Sequence, residues 1–115
     1  MIHILDEIVL DASQVPTVLQ WLDERYLPGL PARRTLSLLQ RWVSPPVAVP
    51  DAPITLWLLW QVTDTYGYYG MRGTAGPEVA AFWADVDALC QHRRRHVMAD
   101  AASPLPQALE KADAQ

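Results

Sequence analysis

The run from Ile54 to Val62 places large apolar side chains on both faces of one extended segment. Alternation sends Ile54, Leu56, Leu58, Trp60 and Val62 one way, and Trp57 and Leu59 the other. The chain's own helices can cover one of these faces. The other needs cover from outside, and in so short a chain a second copy is the expected source.

The same period of two marks a strand over residues 2–10. Ile2, Ile4, Ile8 and Leu10 share one face with Asp6, and His3, Leu5, Glu7 and Val9 share the other. Asp11-Ala12-Ser13 breaks it, and Ser13 is the expected cap of a helix with Pro16 in its first turn. Val15, Val18, Leu19, Leu22 and Tyr26 form one buried stripe of that helix, which Pro28-Gly29 ends. A second strand is predicted from about Thr35 to Val43, with Leu36, Leu38 and Trp42 on one side and Leu39 and Val43 on the other. The proline-rich stretch from Ser44 to Pro53 then reads as a loop.

After the third strand, residues 63–77 are rich in glycine and tyrosine. Val79, Phe82, Trp83, Val86, Leu89 and Cys90 mark a second amphipathic helix, with Pro77 near its start. Residues 92–98 either prolong that helix or form a short fourth strand; the strand is favoured, because the apolar stripe fades after Cys90. The domain is expected to span 1–98, and 99–115 to form a tail with one weak helix near 106–111. No internal repeat is evident.

The order is β-α-β-β-α-β, the ferredoxin-like α+β arrangement. It predicts an antiparallel-containing four-stranded sheet with both helices on one face. The opposite face, carrying Leu5, Val9, Leu39, Trp57 and Leu59, cannot be left wet. Two such sheets stacked face to face would form a homodimeric barrel.

Composition narrows the class. At 115 residues and 50% hydrophobic, the chain is one folded domain and not a disordered one. A net charge of -4 disfavours nonspecific nucleic-acid binding. Its single cysteine, Cys90, excludes an intrachain disulfide and fits a small core residue. The N-terminus lacks a positive n-region and meets acids too early, so no signal peptide is expected, and no apolar run approaches a membrane-spanning length of about 20 residues. A soluble cytoplasmic protein is expected, with no membrane or nucleic-acid partner.

Together these elements resemble the dimeric α+β barrel superfamily, and most of all its NIPSNAP-type domains. The resemblance covers residues 2–98. It is carried by Trp21-Leu22-Asp23-Glu24-Arg25-Tyr26-Leu27-Pro28, by Trp42 late in the second strand, and by Leu59-Trp60-Gln61-Val62-Thr63-Asp64 ahead of Arg72 and Trp83. Members include cofactor-independent monooxygenases, haem-degrading enzymes, polyketide cyclases and proteins without a known activity, so fold alone leaves function open. Haem-degrading members use an asparagine with a tryptophan and a histidine, and this chain has no asparagine. The His-Pro-rich context of the cyclases' Tyr–His pairs is also absent. What the resemblance implies here is a pocket between sheet and helices, with no catalytic residue carried over.

The segment Tyr66-Gly67-Tyr68-Tyr69-Gly70-Met71-Arg72-Gly73 leaves a central strand and leads toward a helix, so it belongs at the mouth of such a pocket. Tyr66, Tyr68 and Tyr69 can orient a carbonyl or a phenol, and Arg72 can grip a carboxylate. Equally, these are turn glycines and rim tyrosines. The glycine spacing fits neither a dinucleotide fingerprint nor a P-loop. Trp60 and Trp83 are candidates to line a pocket for a flat ligand, or plain packing residues.

Asp6, beneath the helices, is a candidate base, as is His3 on the barrel side; the alternative for Asp6 is a buried acid paired with Arg41 or another cation. His92 and His96 lack a third ligand and flank Arg93, Arg94 and Arg95, so no metal is expected. That basic run reads as a solvated edge strand. These residues fit a small-molecule enzyme without cofactor, performing oxygenation, cyclisation or isomerisation on an aromatic or carbonyl compound. They fit a noncatalytic ligand-binding or accessory protein as well.

Overall fold

A computed structural model describes residues 1–29, 36–62 and 76–102. The predicted position Thr35, the tyrosine-rich segment with Tyr66, Tyr68, Tyr69 and Arg72, and the weak helix near 106–111 lie outside the described residues. Strict alternation builds the two central strands, β1 (Ile2–Leu10) and β3 (Ile54–Val62). Every second side chain in each is buried, and the intervening ones are half-buried.

β2 (Leu36–Ser44) and β4 (His92–Ala99) form the edges of a four-stranded sheet of order β2-β3-β1-β4. Every neighbouring pair is antiparallel. β1 and β2 therefore run in the same direction with β3 between them, as a helical crossover requires. Residues 92–98 are strand, as the fading stripe predicted.

One expectation about β2 is corrected. Leu36 and Leu38 lie opposite Val62 and Trp60, on the helix side, but a bulge follows at Leu39 and Gln40 pairs with Leu59. The extra residue reverses the facing of everything after it. Trp42 thus lies opposite Trp57 on the face that no described helix covers (the uncovered face), and Val43 opposite Leu56 on the helix side. Alternation alone had put Trp42 with Leu36 and Leu38.

The first crossover begins with a single turn at 12–14 and continues as α1 (Val15–Trp21). Its cap is Asp11 and not Ser13: the Asp11 carboxylate accepts from the Ser13 N–H at 2.9 Å and from its hydroxyl at 2.7 Å. Beyond α1 the helix widens into a π turn, Leu22–Tyr26, before a short turn ends it at Gly29. Val18, Leu22 and Tyr26 are buried along the predicted stripe.

The second crossover is α2 (Pro77–Leu89), which buries Phe82 and Val86 and leans Val79, Trp83, Leu89 and Cys90 against the same core. An Arg25–Asp85 contact of 2.8 Å joins the two helical segments. Both crossovers cover one face of the sheet, and the core lies between. No helix among the described residues is long and apolar enough to cross a membrane.

Candidate functional site

Among the described residues, Asp6 is the single buried charged side chain, at 0% exposure. Register explains its surroundings. Arg95 of β4 lies directly across from Asp6, and Trp60 of β3 lies across from Ile4, two positions along the same face. The Arg95 guanidinium donates through Nε to Oδ1 at 2.8 Å and through Nη2 to Oδ2 at 3.0 Å. The indole Nε1 of Trp60 donates to Oδ2 at 2.8 Å. Three donors, two of them charged, hold one carboxylate in an apolar layer.

Aromatic rings close around this pair. Tyr26, at the end of the π turn, stands 5.2 Å from Trp60, 5.1 Å from Phe82 and 5.9 Å from Trp83, centroid to centroid. Phe82 and Trp83 meet edge to face at 4.8 Å. At the sheet edge, the guanidinium groups of Arg95 and Arg93 lie 5.4 Å and 4.4 Å from the Trp83 ring. Arg93 in turn forks onto Asp87 at 2.7 Å and 3.0 Å. The chain Asp6, Arg95, Trp83, Arg93, Asp87 thus runs from the buried interior to the surface.

The Arg93 hydrogen bonds hold the Asp87 carboxyl below the usual carboxylate range, against a smaller opposing effect of burial. A carboxyl depressed on folding stabilises fully above its unfolded value and loses that contribution as pH falls through its folded value. The stability difference between wild type and Arg93→Gln is therefore expected to be present at neutral pH and to shrink below about pH 4. Urea unfolding of both proteins across that range checks it; a difference independent of pH would exclude the Asp87 contact as its source.

The residues named from sequence are divided by the sheet. Asp6, Trp60 and Trp83 come together on the helix side. His3 lies on the uncovered face, opposite Gln61 and Met98, so the sheet separates it from Asp6. Trp60 has no exposed surface, and Trp83 is half-buried. Arg41 does not serve Asp6; the bulge turns it to the helix side, where it meets Asp23 at 2.9 Å.

Arg95 and Arg93 were missed as individuals, because the basic run read as a uniform solvated edge. Alternation within it was the available signal. Arg93 and Arg95 face the helices at 23% and 27% side-chain exposure, whereas Arg94 faces away and is exposed. Among the described residues, no three His, Cys, Asp or Glu side chains come together in a way that could hold a metal. A separate depression of about 500 Å³ lies beyond the end of β1, between Asp11, the 48–53 loop and Gln91, and none of the candidate site residues lines it.

No protein-family model matches this sequence, and no curated protein matches it. Solved structures do. A NIPSNAP domain protein from Burkholderia xenovorans superposes with a TM-score of 0.66 at 17% identity, over 92% of this chain and 100% of the other. A NIPSNAP family protein from Agrobacterium tumefaciens gives 0.58 at 14% identity, over 90% and 99%. An antibiotic biosynthesis monooxygenase gives 0.59 at 10% identity, over 88% and 99%. Sequence identities this low establish architecture and nothing finer. The chain has the ferredoxin-like α+β fold shared by NIPSNAP domains and antibiotic biosynthesis monooxygenases.

Proposed function

We propose that this protein is a cytoplasmic, homodimeric small-molecule-binding barrel whose ligand is an aromatic or carbonyl compound held at the Trp83 edge of the helix-side layer. The observation that carries the reading is the Asp6–Arg95 pair set beside an aromatic wall, a fixed polar centre in otherwise apolar packing. Trp83 offers a half-buried ring at the layer's edge for stacking, while Trp60 backs the site and fixes Asp6. Tyr66, Tyr68, Tyr69 and Arg72 complete the site in this reading, on sequence grounds. Asp6 is committed to three donors, which favours binding over proton transfer.

Native mass spectrometry of gently purified protein tests this directly. A dimer carrying an added small mass, lost in Trp83→Ala, is the expected result; protein that never retains a ligand overturns the binding claim. A second reading, a cofactor-independent oxygenase, is supported by the monooxygenases that share the fold. Under it, Asp6 or His3 moves the proton, and the retained compound is converted on aerobic incubation unless Tyr66 is changed to Phe. A binding protein returns the compound unaltered.

The second copy is assigned to the uncovered face. Leu5, Val9, Trp57 and Leu59 are only half-buried there, and Trp42 and Met98 are 49% and 42% exposed. Trp57→Lys is expected to give a folded monomer by light scattering, since the helix-side core is untouched. A Trp57→Lys dimer would place the interface elsewhere.

A further inference from the structure

All three histidines of the chain lie on the uncovered face of the sheet. His3 sits opposite Met98, His96 opposite Leu5, and His92 opposite Val9. They stand beside the apolar patch of Leu5, Val9, Trp57, Leu59 and Trp42. The charged groups sharing this face are Glu7 of β1 and Arg94 of β4, which lie opposite one another. β3 contributes Thr55, Trp57, Leu59 and Gln61, and β2 contributes Ser37, Gln40, Trp42 and Ser44, none of them titratable. Both helices pack on the other side, so among the described strand and helix residues no further titratable side chain shares this face.

With the histidines neutral, the described strands bring one negative and one positive side chain to this face. A wholly basic face would call for an acidic partner; a balanced one suits a copy of itself. With all three histidines protonated, four positive groups oppose one negative group, and stacking two copies doubles that excess inside an apolar contact. Like charges brought together in a desolvated interface cost more than in water. Histidine is the side chain whose charge ordinarily changes between about pH 5 and 8.

We propose that the uncovered face is a pH-gated self-association surface: a second copy docks on it while the histidines are neutral and leaves when they take up protons. The inference rests on the homodimer reading and adds the switch. The three histidines contribute unequally. His96 Nε2 lies 3.0 Å from Glu7 Oε1, so its proton is met by a carboxylate. Glu7 is held below the ordinary carboxylate range, first by that hydrogen bond and then by the charges of His96, Arg94 and His92, with burial opposing. It therefore stays ionised across the range in which histidine ordinarily changes charge. His3 and His92 make no hydrogen bond or ion pair among the described residues; Glu7 offsets the charge of His92 only from a distance, so these two carry most of the repulsion.

Sedimentation of the full chain at about pH 7.5 and about pH 5.5, in low salt, tests the switch, with circular dichroism confirming that the fold persists. The dimer dissociation constant is expected to rise about tenfold or more at the lower pH, and the double variant His3→Gln/His92→Gln to hold that rise under about threefold. His96→Gln should keep most of it. A dimer equally tight at both pH values overturns the switch and leaves the dimer standing. A response that survives in the double variant overturns the assignment to His3 and His92. A monomer at neutral pH and high concentration overturns the dimer itself, and the switch with it.

Discussion

Arg95→Leu is expected to cost this protein about 3 kcal/mol or more, the lower part of the range for breaking a buried ion pair. The reason is what it strands. Asp6 has no contact with solvent, and loss of the guanidinium leaves its carboxylate with the Trp60 N–H alone among the three donors described. The partial exposure of Arg95 argues for the lower part of the range, because solvent already shares in its charge. In a domain of this size the loss corresponds to a melting temperature lower by roughly 12 °C.

The pair itself is a different matter from its breakage. Two well-packed apolar residues in place of a buried ion pair are often neutral or stabilising by about 1–4 kcal/mol. The double variant Asp6→Leu/Arg95→Leu should therefore recover most of what Arg95→Leu loses. Thermal and urea unfolding of the single and double variants measures both. A single variant within about 1 kcal/mol of wild type would show that Asp6 finds another counter-charge, and the site would have to be redrawn.

Trp60→Ala carries the second large effect, about 3–5 kcal/mol, the cost of emptying a fully buried aromatic position. The ring supports Tyr26 at 5.2 Å, so its removal also unseats the π turn from the core. Trp60→Phe separates packing from hydrogen bonding: it keeps much of the ring and deletes the donor to Asp6, for an expected loss of about 1–3 kcal/mol. If Trp60→Phe were as damaging as Trp60→Ala, the hydrogen bond would dominate. If it were silent, Arg95 alone would suffice for Asp6. Trp83→Ala, at a half-buried position, should cost less stability than either large change and act on ligand retention instead.

Much of this was legible in residue order. Period-two alternation in 2–10 and 54–62 identified which side chains turn inward, Asp6 and Trp60 among them, because a pleated strand leaves little choice. The fading stripe after Cys90 marked the fourth strand. Asp6 was recognisable as an acid in need of a cation, but not which cation. Arg41 is much nearer in sequence than Arg95, yet Arg95 is the partner because β4 pairs with β1 and the register sets the two residues face to face.

The bulge at Leu39 was invisible for a related reason. Nothing in Leu36-Ser37-Leu38-Leu39-Gln40 demands an extra residue; the fit of β2 onto β3 does, and it sends Trp42 to the face opposite the one alternation assigned.

The sequence by itself therefore determined the elements, their order and the inward faces of the two central strands. These follow from local periodicity, which each segment carries within itself. The ferredoxin-like arrangement of the strands was expected from that order, but only the tertiary structure decided the register in which they meet. That choice joined Asp6 to Arg95 across the sheet, turned Trp42 outward, and gathered His3, His92 and His96 on one face. Cross-strand contacts depend on the packing of the whole layer, and no short window of residues contains that information.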